Sequence, residues 1–201
     1  MTVRIRPPAR SAVLLRAGQY TLLFAGLALL GYCGCALFEM RVYQWREERA
    51  FDQIRRARSS HLPPPETPAV RHAVLGKIDI PQVGISAIVA EGDDPPTLKR
   101  AVGHVPGTAM PGEPGNVVLA AHRDTFFRPL RQVHKGDTIE LITWNGAYHY
   151  RVESMRVVGP NDVSVLEPAN KSELTLVTCY PFYFVGPAPK RFIVRAGLAS
   201  G

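Results

Sequence analysis

The stretch Leu174-Thr175-Leu176-Val177-Thr178-Cys179 decides the fold. It is apolar or β-branched almost throughout, and at the two-residue period of a strand Leu174, Leu176 and Thr178 share one face while Thr175, Val177 and Cys179 share the other. A second run of the same kind, Arg191-Phe192-Ile193-Val194-Arg195, begins 12 residues after Cys179. A hairpin-like return would bring Arg191 beside Cys179, turn Phe192 and Val194 to the core, and leave Arg191 and Arg195 on the opposite face. Working outward, residues 74–80, 85–91, 116–122, 138–143 and 148–157 have the same character and are bounded by turn residues. Asn145-Gly146 is the pair that favours a tight hairpin. Seven such strands in about 125 residues predict a mainly all-β domain, either a closed barrel or a sandwich. The run from Pro106 to Gly115, rich in Pro and Gly, predicts a long structured loop of the kind that builds a site or covers a barrel end.

Composition agrees with short strands. The 201 residues are 46% hydrophobic and 20% charged, enough apolar content for a buried core and too little length for a large multidomain enzyme. With 17 Gly and 18 Pro, long uninterrupted helices are disfavoured over the bulk of the chain. The formal net charge of +7 is unevenly placed. Residues 1–74 carry 11 Lys/Arg against 5 Asp/Glu, and residues 75–201 carry 13 against 12. The globular part is therefore nearly neutral, which argues against a nucleic-acid partner.

The N-terminal excess of charge frames an apolar segment. From Ala17 to Phe38 no residue is charged. As a helix this segment is about 33 Å long, enough to cross a hydrocarbon core of about 30 Å. Arg4, Arg6, Arg10 and Arg16 precede it without an acid, which favours a cytoplasmic N-terminus and an extracytoplasmic domain. The six Arg between Arg41 and Arg58, mixed with acids, weaken that asymmetry. The competing reading is a cleaved signal peptide, whose apolar core is normally shorter. Cys33 and Cys35 read as small lipid-tolerant helix residues, with reversible acylation as the alternative. The expected organisation is a basic cytoplasmic tail (1–16), a transmembrane helix (17–38), a charged solvated helix followed by a Pro-rich tether (39–74), and the β domain (75–201).

The globular part holds one cysteine, Cys179, so it has no internal disulfide and the thiol is a nucleophile candidate. The strand at 116–122 also ends in a reactive side chain, His122. Laid parallel beside the Cys179 strand, it would bring both to one rim. A thiolate needs cationic neighbours, an imidazole can assist it and later protonate a leaving amine, and Arg191 offers fixed charged donors to a tetrahedral oxyanion. Together the three describe acyl transfer through a thioester. Against this stand plain readings: a buried small cysteine, a hydrogen-bonding histidine, a surface arginine. Arg195 is the alternative oxyanion donor.

At these residues the chain resembles the sortase family, and class D sortases most. Thr175-Leu176-Val177-Thr178-Cys179 with an Arg on the next strand resembles the sortase signature, and Ala121-His122-Arg123-Asp124-Thr125-Phe126-Phe127 resembles its histidine segment. His104-Val105-Pro106-Gly107-Thr108, Gly112-Glu113-Pro114-Gly115-Asn116, Cys179-Tyr180-Pro181-Phe182 and Ala188-Pro189-Lys190-Arg191-Phe192 extend the likeness over nearly all of residues 75–197. Ala121 stands where a Gly is associated with the family. The resemblance implies a closed eight-stranded sortase-type β-barrel with short helices, preceded by one transmembrane helix. It implies a transpeptidase with His122 as acid/base, Cys179 as nucleophile and Arg191 as oxyanion stabiliser. It further implies cleavage of a sorting signal similar to Leu-Pro-x-Thr-Gly between Thr and Gly, and transfer to an amine of the envelope or of another protein. Thr178 and Tyr180 are the expected substrate contacts. The tether lacks the Asp-Pro-aromatic lid of pilin-polymerising members, and Asp94-Pro95-Pro96 lies inside the domain, so pilus assembly is disfavoured.

No cofactor is expected. His104, His134 and His149 are scattered, with no zinc-ligand spacing to Asp124 or Glu113, and Asp93, Asp94 and Glu113 are too generic to indicate the calcium that some sortases bind. Tyr180, Phe182, Tyr183 and Phe184 would line an apolar groove or cap the core. Two other functions compete: a cysteine peptidase with water as acceptor, and a surface binding barrel in which Cys179 is passive.

Overall fold

The computed structural model describes residues 9–59, 74–184 and 186–199. The chain forms two compact units, residues 1–42 and 43–201. The expectations for the basic tail before Ala9 and for the Pro-rich stretch at 60–73 lie outside the described residues.

Helix α1 (Ala9–Ser59) carries the apolar segment and is long and apolar enough to cross a membrane, with none of that segment buried. Beyond Val42 the expectation of a fully solvated helix fails on one face. Phe51 is 1% exposed, its ring 4.4 Å from that of Trp144, and it shares a small cluster with Val74 and Ile88. Gln44 accepts from the Ile88 N–H and donates to the Arg100 carbonyl. Lys77 Nζ lies 2.6 Å from Glu48 and 3.6 Å from Asp79. Burial alone would lower the Lys77 ammonium, but the hydrogen bond to Glu48 and the charges of Asp79 and Asp52 hold its pKa above the usual value. Phe51 is the buried apolar residue of this segment because Trp144, Val74 and Ile88 leave a site for it, and the Gln44 and Glu48 contacts add to the anchorage.

The domain is a closed barrel of eight strands: β1 (Val74–Ile80), β2 (Ile85–Glu91), β3 (Val102–His104), β4 (Asn116–Ala120), β5 (Thr138–Thr143), β6 (Ala147–Val158), β7 (Glu173–Tyr180) and β8 (Lys190–Leu198). Around the barrel the order is β1-β2-β3-β4-β7-β8-β6-β5, parallel at β2–β3 and β4–β7 and antiparallel elsewhere. The open alternative, a sandwich, is excluded. Seven strands fall where the alternation placed them. The eighth, β3, is only Val102-Gly103-His104, buried at all three positions, so it has no alternation to read. A short helix, α2 (Pro95–Leu98), precedes it, with Asp94 accepting from the Thr97 N–H as its N-cap.

Closure follows from the two-residue period. Ile78, Leu119, Leu141, Tyr150, Leu174, Leu176 and Val194 turn inward and are at most 1% exposed. Each large side chain so buried stabilises the fold by about 1.5–3 kcal/mol. Burial raises the Tyr150 phenol to about 12, with Tyr148 adding to the shift. The expected hairpin at Asn145-Gly146 joins β5 to β6, with the Thr143 N–H donating to the Gly146 carbonyl at 2.8 Å.

The Pro106–Gly115 loop is structured, as its composition predicts. His104 is 1% exposed and pins it from within: Nδ1 lies 2.8 Å from Glu91, and Nε2 lies 3.0 Å from the Ala109 carbonyl and 3.1 Å from the Thr108 hydroxyl. Gly112 has φ +94, and a Cβ there would strike the Tyr148 ring and hydroxyl, so the loop can close on β6 only with glycine at this position.

Candidate active site

Parallel pairing of β4 and β7 sets Ala120 against Val177. The ladder runs one residue further, because the Ala121 N–H donates to the Val177 carbonyl (3.2 Å) and the buried Thr178 hydroxyl donates to the Ala121 carbonyl (2.8 Å). His122 therefore leaves β4 level with Cys179. The chain then turns sharply, with the Phe127 N–H donating back to the His122 carbonyl at 3.2 Å and the fully buried Phe127 anchoring the turn in the core. On the other side of β7, Cys179 and Arg191 are direct partners of the antiparallel β7–β8 ladder. Three consecutive strands thus bring His122, Cys179 and Arg191 to one rim.

All three side chains are half-buried and line a groove of about 400 Å³. Its walls are apolar at Leu98, Val105, Val163, Val165, Leu166 and Val177, with Asp93 and Asp162 as its two acids. A groove of this volume, apolar with a few convergent polar groups, has the character of a ligand-binding site. One wall is the β6–β7 connection. It is held to the outer face of the barrel by a buried relay: Thr175 Oγ1 donates to Asn116 Oδ1 (2.7 Å), and Asn116 Nδ2 donates to the carbonyls of Val165 (3.0 Å) and Glu167 (3.2 Å). Asp162 steadies the same wall by accepting from the Ser164 hydroxyl and its N–H, bonds that lower the Asp162 pKa.

The structure separates the two arginines of β8. Arg191 Nη1 donates to the carbonyls of Ala188 (3.2 Å) and Lys190 (3.1 Å), which fixes the guanidinium beside Cys179 while leaving its other nitrogens to the groove. Arg195 pairs with Thr175 across the ladder, lies near Glu173 (3.7 Å), and is absent from the groove lining. Of the expected substrate contacts, Thr178 lines the groove. Tyr180 does not: it lies on the inward parity of β7 and packs with Phe192 and Phe182. Phe182 and Phe192 pack against the barrel core, whereas Tyr183 and Phe184 are exposed on the β7–β8 loop. His134 and His149 are exposed and outside the groove. Among the described residues no three His, Cys, Asp or Glu side chains form a group suited to a metal ion. Sequence reasoning passed over Arg123 and Asn116, because single polar residues carry no periodic signal.

Comparison with known proteins converges on one family. The family model for the sortase domain matches residues 78–199. The chain is 38% identical over 120 residues to sortase D of Bacillus subtilis (strain 168), a match covering 59% of this chain and 61% of that protein. Among solved structures, sortase A from Corynebacterium diphtheriae superposes with TM-score 0.61 at 32% identity, covering 66% of this chain and 63% of that one. A Clostridium perfringens sortase D5 transpeptidase superposes with TM-score 0.62 at 25% identity, covering 77% of this chain and 98% of that one. The chain spans half to about three fifths of the length of the curated relatives it matches. With the family model covering most of the barrel, this chain belongs to the sortase family.

Proposed function

We propose that the protein is a membrane-anchored cysteine transpeptidase that cleaves a sorting signal similar to Leu-Pro-x-Thr-Gly and joins the freed carboxyl to an amine of the cell envelope. The observation that carries this is the register: Cys179 opposite Arg191 on one side and level with His122 on the other, all opening into one groove.

In the proposed reaction the Cys179 thiolate attacks the Thr carbonyl carbon of a peptide lying in the groove. Negative charge collects on the carbonyl oxygen, and the Arg191 guanidinium, braced by the Ala188 and Lys190 carbonyls, donates to it. As the tetrahedral intermediate collapses, the C–N bond breaks, the leaving Gly amine takes a proton from the His122 imidazolium, and a thioester remains on Cys179. An incoming primary amine gives its proton to His122 and attacks the thioester, which restores the thiolate and forms the new peptide bond. Transfer outruns hydrolysis where anchoring keeps acceptor amines at high effective concentration. The apolar helix within α1 supports anchoring, and the Arg residues before it support a domain outside the cytoplasm.

Mass spectrometry of the protein mixed with a panel of sorting-signal peptides tests this. An acyl adduct on Cys179 that is discharged by added amine is the expected result. An adduct discharged only by water would move the reading to a cysteine peptidase, and a folded protein that no peptide acylates would favour a binding barrel.

A further inference from the structure

The loop between β7 and β8 joins Cys179 to Arg191, and it is held at two places by guanidinium groups. Arg191 holds its far end through Ala188 and Lys190. Its middle is held by a residue of the β4–β5 connection. Arg123, next to His122, directs Nη2 to the carbonyl oxygens of Phe184 (2.7 Å) and Gly186 (2.9 Å), and its Cζ lies 5.8 Å from the centre of the Phe184 ring. Arg131, further along the same β4–β5 connection, lies 5.5 Å from the ring of Tyr183. Both exposed aromatic residues of the loop are thus met by an arginine from one segment.

These contacts are not interchangeable with a surface ion pair. Two carbonyls two residues apart are met by one nitrogen of a guanidinium whose plane fixes its direction, and an ammonium on a flexible stem lacks that plane. Arg123 is absent from the groove lining, so it does not meet a peptide there. Its neighbour His122 does line the groove, and the turn that the two residues begin is anchored by Phe127. Any displacement of the loop at Phe184 therefore acts on the turn bearing His122, while Cys179 and Arg191 stay paired across the β7–β8 ladder.

We infer that Arg123 is a positioning residue that clamps the β7–β8 loop onto the His122 turn and so fixes His122 relative to Cys179 and Arg191. This rests on the proposed roles of those three residues.

The test uses the full chain in detergent micelles, with Arg123→Ala, Arg123→Lys and His122→Ala. Two readouts do not require a known substrate: chymotrypsin cleavage after Tyr183 or Phe184 under native conditions, and the pH profile of iodoacetamide alkylation at Cys179, read by peptide mapping to separate it from Cys33 and Cys35. With Arg123→Ala, loop cleavage is expected to quicken about tenfold or more as the local opening becomes easier. The alkylation profile should move toward that of His122→Ala, and combining the two substitutions should add nothing. Arg123→Lys should lie between, with the thermal midpoint near that of the parent, which separates loss of the clamp from unfolding. A loop that stays protected in Arg123→Ala overturns the clamp, and an unchanged or additive alkylation profile overturns the positioning role. If His122→Ala itself leaves the profile unaltered, the proposed reaction site fails instead, and loop protection alone decides whether Arg123 clamps.

Discussion

Cys179 and Arg191 face each other as register partners across the β7–β8 ladder, so their separation is set by backbone hydrogen bonding and not by the loop that joins them. Directly opposed residues of an antiparallel pair hold their Cβ atoms about 4.5–5.5 Å apart. In the proposed reaction a guanidinium starting from that point would be within reach of the carbonyl oxygen that the thiolate attacks. Cys179→Ala and His122→Ala are each expected to reduce peptide acylation or amine transfer by at least about 10³-fold with unchanged circular dichroism. Arg191→Lys is expected to lose about 10²-fold or more, whereas Arg195→Ala keeps most of the rate. Near-normal turnover in Arg191→Lys together with loss in Arg195→Ala would reverse the assignment of the oxyanion donor.

Asn116 holds one wall of the groove by two side-chain bonds and is itself held by Thr175. Asn116→Ala strands the Thr175 hydroxyl and two carbonyls, at a stability cost of about 1–3 kcal/mol. Steady-state kinetics should show KM for a peptide substrate rising several-fold with kcat within about twofold, because the wall shapes the groove and does not touch the reacting atoms.

Phe51 ties the helix beyond the apolar segment to the barrel. Phe51→Ala is expected to lower stability by about 3 kcal/mol, as for other buried aromatic truncations. Urea denaturation followed by tryptophan emission in a Trp45→Phe background, where Trp144 is the sole emitter, measures it. A change below about 0.5 kcal/mol would mean that the Phe51 contact contributes little in solution.

Asp162 accepts from the Ser164 hydroxyl and N–H, and these bonds lower its pKa. A carboxylate with a depressed folded-state pKa contributes stability that is fully present above its unfolded value of about 3.9 and is lost as pH falls through the folded value. The Ser164 amide resonance should therefore hold its position at neutral pH and move only on acidification below about pH 4. In Asp162→Asn that acid-dependent movement should vanish.

A reporter active only outside the membrane, fused at the C-terminus, is expected to be active, given the arginines before the apolar segment. Activity of a cytoplasm-only reporter at that place would reverse the topology.

Most of the barrel is legible in the sequence because a strand with one wet and one dry face writes its period into the residue types, as Leu174 to Cys179 does. The meeting of Cys179 and His122 at one rim was legible for a related reason: one lies near the end of β7 and the other just beyond β4, and a shift of register by one residue would have turned either to the wrong face. What escaped had no period. β3 is too short to alternate. Phe51 is buried where Trp45 and Ile54 of the same helix are not, and that burial depends on Trp144, far away in the chain. Tyr180 reads as a groove residue by proximity to Cys179, yet the strand's alternation carries it to the opposite side, among Phe182 and Phe192. Arg123 works through two carbonyl groups, which sequence does not distinguish from any others.

The shared cluster of Phe51 and Val74 has a consequence for how the chain tolerates insertion. Helix α1 ends just before residues 60–73 and β1 begins just after them, and the two already meet in that cluster, so the chain on either side of that stretch is held together without it. Ring closure depends only logarithmically on length, and doubling the stretch costs about 0.6 kcal/mol. Affinity tags, epitopes or natural length variation introduced there should therefore be close to neutral for the barrel, whereas the same additions in the β7–β8 loop would displace the Phe184 and Gly186 carbonyls that Arg123 holds.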